Sequence, residues 1–332
     1  MLLCTASSPA SVLLADAAII RIGTGGSAGT YLPIGNIIAT VLSSNTDPAL
    51  ENANHSDAVG MNASATKKML AIAQRSTGSV SNVIDVNNGL LEAGLAQADV
   101  VYRAYHSEGP VMLDQAQENL RGIATLYLES VHLVVRDGTG INGIEDLKGK
   151  HVSLDEQGSG TRLVVLSILE AYNIPTSTFK PVYLKTPDAI DRLLNDQLDA
   201  FFVVAGYPVG AVSRLVANGE ASIVPISGEP ADSLADRQPY FSIDRIPQGV
   251  YQNEGDIPTL GVPAQLITNN AIDEELVYTI TKKLWSDQSM QLLYNGHPKG
   301  REVQLDSALV GMDVPLHAGA ERFYREAGLL NP

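Results

Sequence analysis

The second half of the chain alternates short apolar segments with helix-like segments, and this alternation constrains the fold more than any other feature. Segments typical of buried strands occupy 151–154, 180–184, 200–204 and 223–226. Helical patterns lie between them, at 161–172, 187–194 and 208–217. Repeated strand–helix–strand units are typical of parallel sheets. The pattern therefore predicts an α/β fold.

The first part of the chain shows the same alternation less regularly. We predict strands at 18–23, 69–74 and 100–105, with helices at 30–42 and within 79–93. The stretch 120–136 is apolar except for Arg121, Glu129 and Arg136, and its valines favour strand. Because it is too long for one ordinary strand, we predict two strands in series that cross between domains. Another strand is expected at 260–268, after an irregular region at 228–259.

The length of 332 residues is enough for two domains. Two α/β units joined by two chain crossings predict a hinged clamshell, which binds a ligand between its lobes. We place lobe one at 18–125 plus 260–332 and lobe two at 126–259.

Three turns rich in glycine, serine and threonine lie between a predicted strand and a predicted helix. They have the sequences GTGGSAGT at 23–30, TGSVSN at 77–82 and GSGT at 158–161. Glycines let backbone N–H groups approach a ligand, and helix N-termini favour negative charge. In parallel α/β sheets such turns lie at the carboxyl ends of strands, where ligands bind. Both lobes are therefore predicted to supply donors to one cleft, to which the turns at 97–99 and 205–208 could add polar groups.

The first of these turns also matches two catalytic patterns, so an α/β enzyme is the alternative. Gly23, Gly25 and Ala28 fit a dinucleotide-binding fingerprint of an NAD-dependent dehydrogenase, but the acidic partner at the right distance, Asp47, lies in a predicted loop. Gly25, Ser27 and Gly29 fit the nucleophile elbow of a serine hydrolase, but too few strands precede it. A tight turn without a ligand also remains open.

The charge and metal-ligating residues limit the classes of partner. Asp and Glu exceed Lys and Arg by 37 to 22, giving a net charge of −15, which excludes nucleic acid and anionic membrane surfaces as partners. The six histidines show no metal-ligand spacing and Cys4 is the only cysteine, so we predict no metal and no cofactor. Net charge does not exclude an anionic ligand, because neutral N–H and O–H donors can hold one.

The N-terminal residues 1–17 resemble the end of a secretory signal peptide. They are apolar and rich in small residues, and Ala15-Asp16-Ala17 fits an A-x-A cleavage site, although no basic residue precedes Arg21. No later run of about 20 apolar residues follows. We therefore predict an exported protein without stable membrane insertion, in which the Asn/Ser-rich segment 43–68 is a loop or insertion.

Taken together, the motifs resemble the solute-binding receptors of the TAXI family of tripartite ATP-independent periplasmic (TRAP) transporters. The resemblance runs from about residue 20 to the C-terminus. It rests on GTGG-x-x-G-x-Y at 23–31, GSV-x-N at 78–82, QAD at 97–99, LRGIATLYLE at 120–129, DLKGK-x-VSL at 146–154, GSGT at 158–161, DAFF-x-VAG-x-P at 199–208, IP-x-G-x-Y at 246–251 and VPLHAGA-x-RFYRE-x-GLL at 314–330. The approach to GSV, residues 74–77 (QRST), departs from the family's E-x-T-G.

This resemblance implies a type II periplasmic-binding-protein fold, a venus flytrap without enzymatic activity. It implies a periplasmic monomer that captures glutamate or a related carboxylate and delivers it to a membrane permease. A surface antigen that has lost transport is a further alternative. The motifs mark no arginine as the carboxylate clamp, and Arg162 merely adjoins GSGT. The implied ligand-binding residues are Thr24, Gly25, Gly26, Thr30, Tyr31, Ser79, Asn82, Gln97, Asp99, Ser159, Gly160, Thr161, Phe202 and Gly206.

Overall fold

The computed structural model describes residues 18–44, 69–108 and 116–331, which contain ten strands and ten α-helices. The strands are β1 (Ala18–Gly23), β2 (Met69–Gln74), β3 (Ala93–Gln97), β4 (Leu120–Arg136), β5 (His151–Ser153), β6 (Lys180–Val182), β7 (Ala200–Ala205), β8 (Ala221–Val224), β9 (Ser242–Ile246) and β10 (Ile257–Asn269). The helices are α1 (Tyr31–Ser43), α2 (Ser79–Asn87), α3 (Ala98–His106), α4 (Gly160–Ala171), α5 (Thr186–Leu194), α6 (Gly210–Ala217), α7 (Glu229–Arg237), α8 (Glu274–Leu284), α9 (Asp287–Gly296) and α10 (Ala318–Glu326).

Two long strands join the two halves of one sheet. The sheet order is β2-β1-β3-β10-β4-β7-β5-β6, with β8 beside β4 and β9 beside β10. The outer strands pair in parallel, as β1 does with β2 and β3, and β5 with β6 and β7. β4 and β10 are antiparallel to each other; β10 also pairs with β3 and β9, and β4 with β7 and β8. The prediction of an α/β fold is confirmed, and the antiparallel crossing strands make the sheet mixed.

Each half of the sheet has its own apolar core. On one side, α1 packs its buried residues, among them Ile34 and Ile38, against β1, β3, β10 and the C-terminal helices. On the other side, apolar residues of β5, β7 and α4 pack with α7 and with part of β4. Burial of such side chains is the main favourable contribution to folding. We keep the names lobe one and lobe two for these halves, while the limits at 125/126 and 259/260 stay a prediction.

The structure corrects three local predictions. The third strand is Ala93–Gln97, and the segment expected to form it, 100–105, lies in helix α3. Its valines suggested a strand, but they pack against α2 and β10 from a helix. The segment 120–136 is a single 17-residue strand, because its two ends pair with different lobes. The region 228–259 contains α7 and β9 rather than only irregular chain.

Two sequence predictions lie outside the described residues. They are the leader at 1–17 and, apart from Ser43 and Ser44, the Asn/Ser-rich segment 43–68. Asp47, the acidic partner of the dinucleotide alternative, also lies outside them. Within the described ranges, no helix is both long and apolar enough to cross a membrane.

Candidate ligand-binding cleft

A cavity of about 300 Å³ lies between the two lobes where several helices begin. We call it the cleft. Lobe one contributes residues 25–31 and 75–79 together with Gln97, and lobe two contributes residues from 155–161, 185–187 and 203–204. Glu129, on the crossing strand β4, completes the polar lining. The two Gly/Ser/Thr turns of lobe one and the GSGT turn of lobe two therefore meet, as the strand-to-helix positions predict.

Four helices direct their N-termini at the cleft. The residues that precede α1, α2, α4 and α5 are Thr30, Gly78, Ser159 and Lys185, and all four line it. Of these four helices, only α4 has a side-chain cap, in which Ser159 Oγ accepts from the Thr161 N–H. The first N–H groups of a helix have no partner inside the helix and carry partial positive charge. This arrangement binds an anion without requiring a basic side chain.

A buried carboxylate, Glu129, faces these donors across the cleft. The Tyr31 hydroxyl donates to Glu129 Oε2 at 2.7 Å, and Ser79 Oγ lies 3.3 Å from the Tyr31 oxygen. Glu129 is only 2% exposed, and burial raises its pKa to about 8, although the Tyr31 hydrogen bond and the nearby Lys299 oppose the rise. Gln97 Oε1 is also buried and has no partner among the described residues. The cleft therefore presents acceptors as well as donors.

The two lobes contact each other at the cleft. Thr30 Oγ1 donates to the Gly206 carbonyl at 3.0 Å, and the Val80 N–H donates to the Gly158 carbonyl at 3.2 Å. A Cβ on Gly160 would lie 1.8 Å from Gln97 Oε1 and 2.8 Å from Ser79 Oγ. A glycine is therefore needed there for the GSGT turn to approach lobe one.

The C-terminal tail also reaches lobe two near the cleft. Lys299, which is 2% exposed, donates to both carboxylate oxygens of Glu302 at 2.8 and 2.9 Å. Its ammonium lies 3.8 Å from the ring centre of Tyr207, in the range of a cation–π interaction. The neighbouring Gly206 has no room for a Cβ, which would lie 2.4 Å from Lys299 Cγ. This contact adds to closure from outside the cleft.

The structure brings most of the predicted site residues to the cleft. The predicted residues that line it are Gly25, Gly26, Thr30, Tyr31, Ser79, Gln97, Ser159, Gly160 and Thr161. Thr161 also supports β7, because its Oγ1 accepts from the Val204 N–H. Ligand contact by these residues stays a prediction.

Five predicted residues do not belong to the cleft lining. Thr24 and Asn82 contact each other inside lobe one. The Asn82 amide donates to the carbonyls of Thr24 and Leu95, and these bonds fix the first turn against α2 and β3. Phe202 is core, since it faces the apolar cluster of lobe two. Gly206 contacts Thr30 and Lys299 instead. Asp99 is buried in the first turn of α3, behind Gln97.

Five charged residues of the lining were not predicted as ligand contacts, namely Arg75, Glu129, Asp155, Glu156 and Lys185. Glu129 was visible as a lone acidic residue in the middle of an apolar strand, which is a signal for a functional group. Arg75 lies in the QRST segment that departs from the family pattern, and Lys185 immediately precedes α5. Arg162, the arginine next to GSGT, is not part of the lining and lies instead over the Tyr183 ring.

The lining gives the enzymatic and metal alternatives no support. Ser27 lines the cleft, but none of the lining residues is a histidine that could serve as its base. No group of three or more His, Cys, Asp or Glu residues that could hold a metal ion is found in the part of the chain that the structure describes.

Asp99 makes a stability prediction. Burial raises its pKa to about 7, against the opposing charge of Arg103, and neither carboxylate oxygen has a partner among the described residues. Since the pKa of Asp99 is higher in the folded than in the unfolded protein, the ionisation of Asp99 destabilises the wild type progressively as pH rises from about 4 to about 7. We expect Asp99→Asn to gain roughly 3 kcal/mol relative to wild type between pH 4 and pH 8, measured by urea unfolding. If the difference in unfolding free energy between Asp99→Asn and wild type were the same at pH 4 and pH 8, this prediction would be wrong.

Solved structures of binding proteins share the architecture of two α/β lobes joined by two crossing strands with a cleft between them. The alkanesulfonate-binding protein SsuA from Xanthomonas axonopodis pv. citri, bound to MOPS, is 15% identical, with a TM-score of 0.50 over 94% of this chain and 84% of that chain. MatC from Rhodopseudomonas palustris, with bound malate, is 11% identical, with a TM-score of 0.52 over 94% and 97% of the two chains. These likenesses show a shared fold.

The chain belongs to the NMT1-like family, whose model matches residues 22–328. The predicted periplasmic-binding-protein fold is therefore confirmed.

Proposed function

We propose that this protein is the extracytoplasmic receptor of a TRAP transporter of the TAXI type. It captures a small carboxylate, such as glutamate or a related amino or dicarboxylic acid, and delivers it to the membrane permease. The observation that carries the proposal is the convergence of four helix N-termini from both lobes on one cleft. The sequence motifs from 23–31 to 314–330 support the assignment to the TAXI type.

The helix N-termini are the expected place for a ligand carboxylate. Three of the four helices lack a side-chain cap, which leaves N–H groups of their first turns available to an external acceptor. Exceptions include the Val80 N–H, which donates to the Gly158 carbonyl, and Pro187, which has no N–H. Each available N–H contributes a charge-assisted hydrogen bond when it meets a carboxylate. The hydroxyls of Thr30, Ser79 and Ser159 stand beside these groups in the lining. The ligands of the two structural neighbours, MOPS and malate, also carry acidic groups.

Glu129 and Gln97 are the expected place for a ligand amine. An ammonium group donates up to three hydrogen bonds, and these two side chains offer buried acceptors in the same cleft. A ligand with both a carboxylate and an ammonium group would satisfy donors and acceptors together. This favours an amino acid within the broader class of carboxylates. The volume of about 300 Å³ is suited to a small ligand.

Closure couples binding to transport in this proposal. Donors from lobe one and lobe two reach the ligand together only in the closed state, so the ligand stabilises that state. The closed receptor is then the form that a permease recognises. The proposed protein is a periplasmic monomer whose residues 1–17 direct export.

Isothermal titration calorimetry with glutamate, glutamine, 2-oxoglutarate and succinate tests the proposal. We expect at least one of these carboxylates to bind, and the amino acids to bind more tightly than the two ligands without an amine. An uncharged sugar serves as the negative control. Absence of binding by all four carboxylates, in protein with a cooperative unfolding transition, would contradict the proposed function.

A further inference from the structure

The charged side chains that line the cleft differ in whether they have a hydrogen-bond or ion-pair partner. Glu129 accepts from Tyr31, and Asp155 accepts from Ser159 Oγ at 2.6 Å. Lys185 lies 3.8 Å from Glu156, close enough for an ion pair. Arg75 alone among the charged lining residues has neither a hydrogen bond nor an ion pair with any described residue. Arg75 is also exposed, so its guanidinium is accessible to a ligand that enters the cleft.

The backbone around Arg75 is fixed by its neighbours. Ser76 Oγ donates to the Thr24 carbonyl at 2.8 Å and accepts from the Gly78 N–H at 3.0 Å. The next residue, Thr77, meets lobe two, since a Cβ on Gly158 would lie 2.7 Å from Thr77 Oγ1. Arg75 is thus held at the border between the lobes, in the same lining as Lys185 of lobe two.

We propose that Arg75 binds a second acidic group of the ligand and makes the receptor select an acidic amino acid over its uncharged amide. The proposal rests on the proposed function, in which helix N-termini hold the first carboxylate and Glu129 holds the amine. Those two subsites leave Arg75 for a third polar group of the ligand. A guanidinium presents its N–H groups in a planar fork that matches a carboxylate.

Lys185 assists from the opposite lobe. Its partner Glu156 is 3.8 Å away and the lysine side chain is 61% exposed, so the ammonium can reorient towards a ligand at little cost. A second acidic group is then approached by one cation from each lobe and adds to closure. An amide at the same position carries no charge for either cation to bind.

The matched ligands L-glutamate and L-glutamine test this selection, because they have nearly the same shape and differ in whether the side chain ends in a carboxylate or in a neutral amide. Calorimetry is performed on wild type, Arg75→Gln, Arg75→Lys and Arg192→Gln. Arg192 is exposed, lies outside the cleft lining and controls for the loss of one surface charge. We expect wild type to prefer glutamate, and Arg75→Gln to lose about 10-fold in glutamate affinity with less than about 2-fold change for glutamine. Arg75→Lys is expected to recover part of the loss, and Arg192→Gln to resemble wild type.

The outcomes separate this proposal from the proposed function. Tighter or equal binding of glutamine by wild type, an unchanged glutamate affinity in Arg75→Gln, or an equal loss of both ligands would overturn the role of Arg75 while leaving the carboxylate receptor intact. Absence of binding of either ligand to wild type would overturn both.

Discussion

Replacing Gly160 by valine is expected to reduce ligand affinity by roughly 100-fold or more while the protein still folds. The added side chain would enter the space of Gln97 and Ser79 in the closed state. Ser79 Oγ accepts from the Gln97 backbone N–H, so it cannot move away without breaking a buried hydrogen bond. Overpacking of this kind costs about 1–3 kcal/mol or more, and here it applies to the closed state. Calorimetry measures the affinity, and small-angle X-ray scattering measures the opening of the lobes.

Gly210→Val is the matched control for this variant. Gly210 is also the first residue of a helix of lobe two, but a Cβ there meets nothing within 4 Å. Both variants therefore place a valine at the first residue of a helix, but only the valine at position 160 would meet residues of lobe one. Equal affinities for Gly160→Val and wild type would show that the observed lobe contact is not required for binding.

Glu129→Gln is expected to lower the affinity for an amino acid ligand by roughly 100-fold. A buried ammonium that loses its carboxylate partner typically costs 2–5 kcal/mol. Glutamine retains the shape of the side chain and can still accept from Tyr31. Ligands without an amine, such as succinate, should lose little. Calorimetry on both ligand types distinguishes a lost amine contact from a general disturbance of the cleft, which would weaken both equally.

The same residue predicts how binding depends on pH. The pKa of Glu129 in the free protein is raised to about 8. If the ammonium binds the ionised carboxylate, the proton must leave first, so affinity rises up to about tenfold per pH unit between pH 6 and pH 8 and then levels off. Glu129→Gln should abolish this dependence. Glu254→Gln, at an exposed position, is the control and should retain it. A flat profile for wild type would contradict the role of Glu129.

The strand-to-helix turns were the part of the site that could be predicted from sequence. Glycines at 23–29 and the GSGT of 158–161 have a local physical meaning, because they allow backbone N–H groups at a helix N-terminus to face a ligand. Their convergence follows from the rule that parallel strands end at one edge of the sheet. The structure brings both turns into one cleft, together with Ser79 and Gln97.

Other assignments depended on contacts that local pattern does not encode. The segment AGLAQ has few β-branched residues, yet it forms β3 because it lies fully buried between β1 and β10. Asn82 and Thr24 looked like ligand-binding residues, but their polar groups satisfy buried backbone instead. Arg75 and Lys185 are ordinary surface residues in sequence and gain significance only because the two lobes face each other.

A crystal structure of the protein with its tightest-binding carboxylate tests the central claim most directly. We expect the ligand between the lobes, with carboxylate oxygens within hydrogen-bond distance of backbone N–H groups at the starts of α1, α2 or α4. The amine of an amino acid ligand should lie against Glu129. A ligand bound outside the cleft, or one whose carboxylate is turned away from these helix N-termini, would contradict the account.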